Sequence, residues 1–475
     1  MRKKVWLFVI VAALLVLVLG VFCACESYDV DPLKTVGDKN AQVLSNGGLV
    51  VKQGDYLYFV NGYVGYLTDK GKDNWFGNVK KGAIVRVSYK DGAIGNDYTV
   101  VVPKSVMASS ENLGFSIFGN WIYYVSPSAD EDRSGNVMTD KLQFLRTKLD
   151  GTDTQLILEW NDTSVKYKYT ASALVYYDST NKILYSKSLS AKKFDEDKKG
   201  DKLAEKVDSV HFLKNETYDP AVKTTPVADY VLYTQSATDS AENTLYITDP
   251  RGTDKKTLIS YADPSYHYNV SVVASYVKED KLTVYYTKSR YLGTSSSGTE
   301  LGTFAYQFAD KNFAFNAANE VSLSTTSLSS LFAFDGGVVK TGSNSVIYYA
   351  DGTAPKTYGD LDLGTLIAIE NGNFYYLNSD NKLLYYPLNE STNAHYAYTT
   401  EEKFMTSFIG AEYFDGYFYF ILDDDYDYMA CIKLADIDVY SEEGGATIKR
   451  VAYMTDADRK ALEEAEAKKA EESSK

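Results

Sequence analysis

The residues that could do chemistry are few and scattered. The three histidines, His211, His267 and His395, fall far apart, and no two stand at a metal-ligand spacing. Of the three cysteines, Cys23 and Cys25 sit together near the start. Cys431 lies in YMACIKL, which reads as a strand and makes it a buried thiol rather than a nucleophile. No HExxH, CxxC pair, GxSxG or phosphate-cradling glycine loop occurs. No catalytic residue is therefore named by motif. Paired carboxylates for glycoside cleavage stay open, because 64 acidic residues offer many pairs whose separation a sequence does not give.

Two acidic clusters remain. In ADEDRSGN, residues 129–136, Asp130, Asp132 and Ser134 place oxygen ligands on alternate residues before Gly135, as calcium loops do. The bidentate glutamate of such loops is replaced by Lys141, so a solvated turn competes with the metal reading. Calcium is the single cofactor the sequence raises. The run LDDDYDY, at 422–428, reads as an acidic hairpin tip, or as a grip for a cation or a basic partner. Trp75 and Phe76 lie in the loop YLTDKGKDNWFGNVKKG, at 66–82. Aromatic rings on a loop can stack on a sugar or grip a protein, or fold back onto their own domain.

The elements that must position these residues are announced by repetition. GDYLYFVNG at 54–62 returns as NWIYYVSP, ALVYYDS, YVLYTQS, TVYYTKS, NFYYLNS and YFYFILD. Tyrosine reaches 42 copies, and it favours strands while carrying a hydroxyl to a polar edge. Each such strand is followed by a polar loop and a second strand, as in FLRTKLDG at 144–151 and TLYITDPRG at 244–252. The two read as hairpin partners, with DG or RG supplying a residue that tolerates positive φ. In the less regular stretch, GGVVKTG at 336–342 reads as a first strand and SVIYYADG at 345–352 as a second.

The unit recurs about every 50 residues, the size of one four-stranded propeller blade. Sheets that are apolar on both faces cannot stand alone in water; stacked in a ring, they bury both. The fold class is all-β, a β-propeller of about eight blades, with seven as the alternative. Tandem β-sandwiches are the rival, but they would repeat at about twice the interval.

The alternation of GD-x-φ-Y-Y with L-Y-x-x-x-L-D-G resembles the YWTD-type and related propellers of bacterial cell-surface lipoproteins of unknown function. The resemblance covers nearly all of residues 45–450. It implies a propeller presented at a cell surface.

The address is consistent with that. Arg2, Lys3 and Lys4 precede an apolar run from Val5 to Phe22, which predicts export of the remainder of the chain. FCAC, at 22–25, resembles a lipobox, with Ala24 the small residue and Cys25 the lipid acceptor. Phe22 and Cys23 are atypical there, Cys23 is the rival acceptor, and a plain signal peptide or signal anchor is the alternative. The domain reading is 1–25 signal and lipobox, 26–44 linker, 45–454 propeller, and 455–475 a charged helical or disordered tail. The insertion at 187–210 reads as a solvated loop with at most a helical turn.

The net charge of −15 argues against nucleic acid as a partner. The function expected is a membrane-tethered propeller that binds or scaffolds at the cell envelope, with a protein or glycan as ligand. The alternatives are an enzyme acting on extracellular polysaccharide or peptide, and a purely structural envelope component.

Overall fold

The computed structural model describes residues 32–62, 75–76, 79–80, 82–104, 106, 114–127, 141–162, 164–195, 197–214, 217–236, 243–293, 297–342, 345–349, 354–358, 365–370, 372–379, 383–387, 395–396, 412–421, 429–433, 449–453, 460, 464 and 467–468. Within them the protein is a β-propeller. Seven four-stranded antiparallel blades follow one another along the chain, at 116–160, 166–205, 207–259, 266–324, 331–358, 365–396 and 412–451. Before them comes a wider N-terminal sheet of seven strands. The expectation of about eight like blades is thereby corrected to seven regular ones, the alternative count. The N-terminal sheet departs from the pattern because short extra strands, Val43–Leu44 and Ala93–Ile94, extend it, and Thr217–Tyr218 joins it from blade three.

Paired tyrosines hold neighbouring blades together because successive side chains point to opposite faces of a strand. Tyr176 packs with Phe144 and Tyr169 on the side of blade one, while Tyr177 packs with Val207 and Tyr233 on the side of blade three. Tyr286 faces blade three and Tyr285 faces blade five. Between blades six and seven the rings of Tyr375 and Phe418 meet at 4.7 Å. One core then joins blade seven to the N-terminal sheet and to blade one: Tyr419, Met429 and Cys431 pack with Val50, Leu57, Val85, Ile122 and Tyr124. The ring is closed by this contact.

First strands of successive blades touch, as Lys166–Tyr169 touches Val207–Phe212, so they line the axis. Val43–Leu44 pairs with Thr217–Tyr218, a stretch between the first two strands of blade three. The Tyr218 ring meets Phe118 edge-on at 5.0 Å.

One local expectation is corrected. The charged stretch 187–210 is not a loop throughout. Asp201–Glu205 completes blade two and Val207–Phe212 opens blade three. Ala204, Val207 and Val210 are buried there, and their neighbours carry the charge outward. The hairpin expected of GGVVKTG and SVIYYADG is present: Gly337–Thr341 pairs with Val346–Tyr349, as the second and third strands of blade five after Leu331–Phe334. Residues 32–44, read as a linker, lie against the ring: Leu33 packs on the core, and its N–H donates to the Asp150 carbonyl at 3.1 Å. The signal segment lies outside the described residues. So does the tail, apart from Lys460, Glu464, Ala467 and Lys468, which are exposed.

Candidate functional site

One blade breaks the regularity in length. In blade four, Tyr266–Lys278, Lys281–Leu292 and Gly298–Phe308 run 13, 12 and 11 residues, where the other strands among the described residues have eight or fewer. Two β-bulges mark where the blade ends and an extension begins. Pairing shifts between Val272 and Ala274, and again where Lys288 pairs Gly302 but Ser289 pairs Glu300, leaving Val273 and Leu301 as extra residues. Beyond them the three strands continue for about five residues, on the order of 15 Å at the rise of a strand.

The register sets what the extension shows. Tyr268 lies opposite Arg290 and Tyr266 opposite Leu292, on the same strand face as Tyr286. That face packs against blade three within the ring. The apolar run Leu282, Val284 and Tyr286 thus gives way to Lys288, Arg290 and Leu292. Lys288 stands 4.6 Å from the Tyr261 ring centre and 3.9 Å from that of Phe304. Tyr261 meets Tyr268 at 4.6 Å, and the Arg290 guanidinium lies 4.7 Å from the Tyr266 ring. Leu292, at the tip, is 62 % exposed. The result is a ladder of alternating rings and cations leading from the core to solvent.

The base of the ladder is fixed by a buried carboxylate. Glu320 accepts from Lys288 Nζ at 2.8 Å, and both side chains are 9 % exposed. The hydroxyls of Tyr261 and Tyr286 also donate to Glu320. Burial pushes the Tyr286 and Tyr261 hydroxyls up in pKa, so both remain donors. Higher on the ladder, Asp263 accepts the N–H groups of Ser265 and Tyr266 at 2.9 and 3.2 Å and the Tyr268 hydroxyl at 3.0 Å. The Ser265 N–H is the main cause holding its carboxyl below the usual range. Arg290 differs from these groups: its Nε is buried and has no hydrogen-bond partner.

On the opposite face Tyr291 pairs His267 on one side and Gly298 on the other. A Cβ on Gly298 would stand 2.6 Å from the Tyr291 ring, so glycine lets that ring lie across the neighbouring strand.

Of the residues picked from the sequence, few are among those described. Trp75–Phe76 pairs with Val79–Lys80 as a small hairpin. Asp130, Asp132 and Ser134, the acidic run 422–428, and Cys25 lie outside the described residues. Among the described residues no group of three or more His, Cys, Asp or Glu converges as for a metal. His211 Nε2 and Ser275 Oγ are 2.7 Å apart, between blades three and four. Cys431 is buried, and burial pushes its thiol up to about 12. The ladder itself was missed, although its signal was present: YHYNV at 266–270 and KSRYL at 288–292 extend a repeat past its usual length.

A second polar feature lies at the axis. Lys168, on the first strand of blade two, donates to the carbonyls of Leu213 (2.6 Å) and Ala228. Burial pulls its ammonium down to about 8, against the pull of Asp229. These bonds tie down the ends of the crossing segment that carries Thr217–Tyr218. Among the described residues no helix is long and apolar enough to cross a membrane.

No family model matches the chain, and no curated protein matches it. Solved structures do. A prolyl endopeptidase studied for inter-domain dynamics is 9 % identical, with 88 % of this chain covering 51 % of that one at a TM-score of 0.37. This chain thus spans about half the length of that enzyme. AztD from Citrobacter koseri is 11 % identical, with 79 % and 96 % covered and a TM-score of 0.35. PorZ, a surface component of the type-IX secretion system of Porphyromonas gingivalis, is 10 % identical, with 88 % and 46 % covered and a TM-score of 0.30. At these identities the likeness concerns fold alone.

Proposed function

We propose that this protein is an extracytoplasmic binding propeller, tethered to the cell membrane through Cys25 and engaging a glycan or protein of the envelope. The observation that carries the reading is the extension of blade four. It takes Tyr266, Tyr268, Arg290 and Leu292 out of the ring and holds them on three hydrogen-bonded strands. Rings fixed on strands lose little freedom on binding, and an exposed leucine at the tip offers apolar area. A signal segment, a lipid on Cys25 and a charged helical or disordered tail at 455–475 belong to the same reading.

The test uses the full chain without its first 25 residues, on a glycan array and on envelope extract. The wild type should be retained, and the double variant Tyr266→Ala, Leu292→Ser should lose retention while keeping its melting temperature. Equal retention of both proteins would move binding away from blade four. Retention by neither surface would leave the structural-component alternative. Turnover of a retained polysaccharide, followed by reducing ends, would support the enzyme alternative.

A further inference from the structure

We propose that the extension of blade four is a site for an acidic polysaccharide, with Arg290 receiving an oxyanion of the polymer and Tyr266 and Tyr268 receiving the faces of its sugars. The proposal rests on the binding reading above and names the ligand class for that site.

Arg290 carries the argument. Its guanidinium is stacked on the Tyr266 ring, and its Nε is removed from water without gaining a hydrogen bond. A buried donor left unpaired is costly, and few native groups remain so without a role. A carboxylate or sulfate oxygen reaching the guanidinium at its Nη edge would give the group a charge-assisted partner that the fold does not supply. The acids nearest in the fold are already engaged. Asp263 accepts three donors, from Ser265, Tyr266 and Tyr268, and Glu320 holds Lys288 and two tyrosine hydroxyls. The Arg290 charge is felt by Asp263, but no hydrogen bond ties the two, so the guanidinium can still meet something outside.

The rings specify the rest of the ligand. A sugar presents C–H bonds on one face, and those weakly positive hydrogens sit well on the negative face of an aromatic ring. Tyr266 and Tyr268 stand two residues apart on one strand face, and Tyr291 lies on the other face across Gly298. A stiff three-stranded ribbon with rings on both sides suits an extended polymer better than a compact ligand.

The net charge of −15 opposes an anionic partner at long range. That repulsion is screened beyond about 8 Å at physiological salt, whereas a stacked guanidinium in contact with an oxyanion is not. Binding should therefore persist at about 0.15 M salt.

The experiment is affinity electrophoresis of the folded chain in gels holding polygalacturonate, dextran sulfate or neutral dextran. The proteins are the wild type, Arg290→Gln, Tyr266→Ala and, as a control on an exposed strand of blade five, Lys356→Gln. The wild type and the control should be retarded by at least one acidic polymer. Arg290→Gln and Tyr266→Ala should each bind about tenfold more weakly or worse, with unchanged melting. Retardation by polygalacturonate alone assigns a carboxylate, and by dextran sulfate alone a sulfate. Wild-type affinity in Arg290→Gln, or no retardation by either acidic polymer, overturns the proposal. Retardation by neutral dextran that ignores Arg290→Gln overturns the anion while leaving a glycan-binding propeller in place.

Discussion

Glu412 Oε2 accepts the backbone N–H of Val50 at 3.2 Å, linking residues 362 positions apart. The same carboxylate accepts from Leu49 N–H and from the Ser45 hydroxyl at 2.9 Å. Beside it, Lys52 pairs with Asp415 at 2.7 Å, and Tyr89 donates to Asp415 at 2.8 Å. Tyr453 N–H donates to Asn61 Oδ1 at 2.9 Å. Blade seven takes all four of its strands from the C-terminal end of the chain, so these side-chain bonds and the shared core carry the closure.

Glu412→Gln should therefore open the seam. The amide keeps one acceptor but turns two hydrogens toward N–H groups. The expected cost is about 2 kcal/mol, the scale of charge-assisted hydrogen bonds, read by urea unfolding. A stability equal to wild type would show that the apolar core alone closes the ring.

Gly302 and Gly298 should answer alanine differently. At Gly302 the backbone has φ of +112°, and a Cβ would lie 2.0 Å from the Ser324 carbonyl oxygen. Both the strained conformation and the clash with fixed backbone count, and Gly302→Ala should cost about 3 kcal/mol or more. At Gly298 the clash is with the far end of the Tyr291 side chain, which can swing away. Gly298→Ala should shift stability by less than about 1 kcal/mol. Near-equal melting losses would contradict the assigned register.

Alkaline pH should unfold the protein through its tyrosines. Burial pushes the Tyr58 hydroxyl from 10.0 up to about 12, and Tyr124, Tyr233 and Tyr419 are raised for the same reason. A raised folded pKa means that the native state holds protons which the unfolded chain gives up above pH 10. The stabilisation is complete below that pH and falls as pH climbs from 10 toward 12. Absorbance at the phenolate band should show part of the 42 tyrosines ionising only together with loss of the fold. A single smooth titration near 10, with structure intact, would mean that these rings are exposed.

Cys25→Ala should move the protein from the membrane fraction to the soluble extracytoplasmic fraction. Unchanged membrane retention would assign the apolar segment from Val5 to Phe22 to a signal anchor instead.

Much of the ring was legible because its physics is local. Tyr176–Tyr177 and Tyr285–Tyr286 state in two letters that both faces of a strand are buried, and the recurrence of that statement implies stacking. The charged stretch 187–210 misled because its buried apolar residues, Leu189, Ala204, Val207 and Val210, are few among many charges. The ladder of blade four was not legible from the sequence. Tyr266 and Arg290 meet through strand register, and register depends on where Val273 and Leu301 bulge.

The sequence by itself determined a repeating all-β chain, since period-two burial and turn residues act over a few positions. Only the tertiary structure decided that seven blades are regular, that Thr217–Tyr218 crosses the axis, and that Glu412 closes the seam. Those outcomes join residues far apart in the chain, where each contact forms only after the ring has brought its partners within reach.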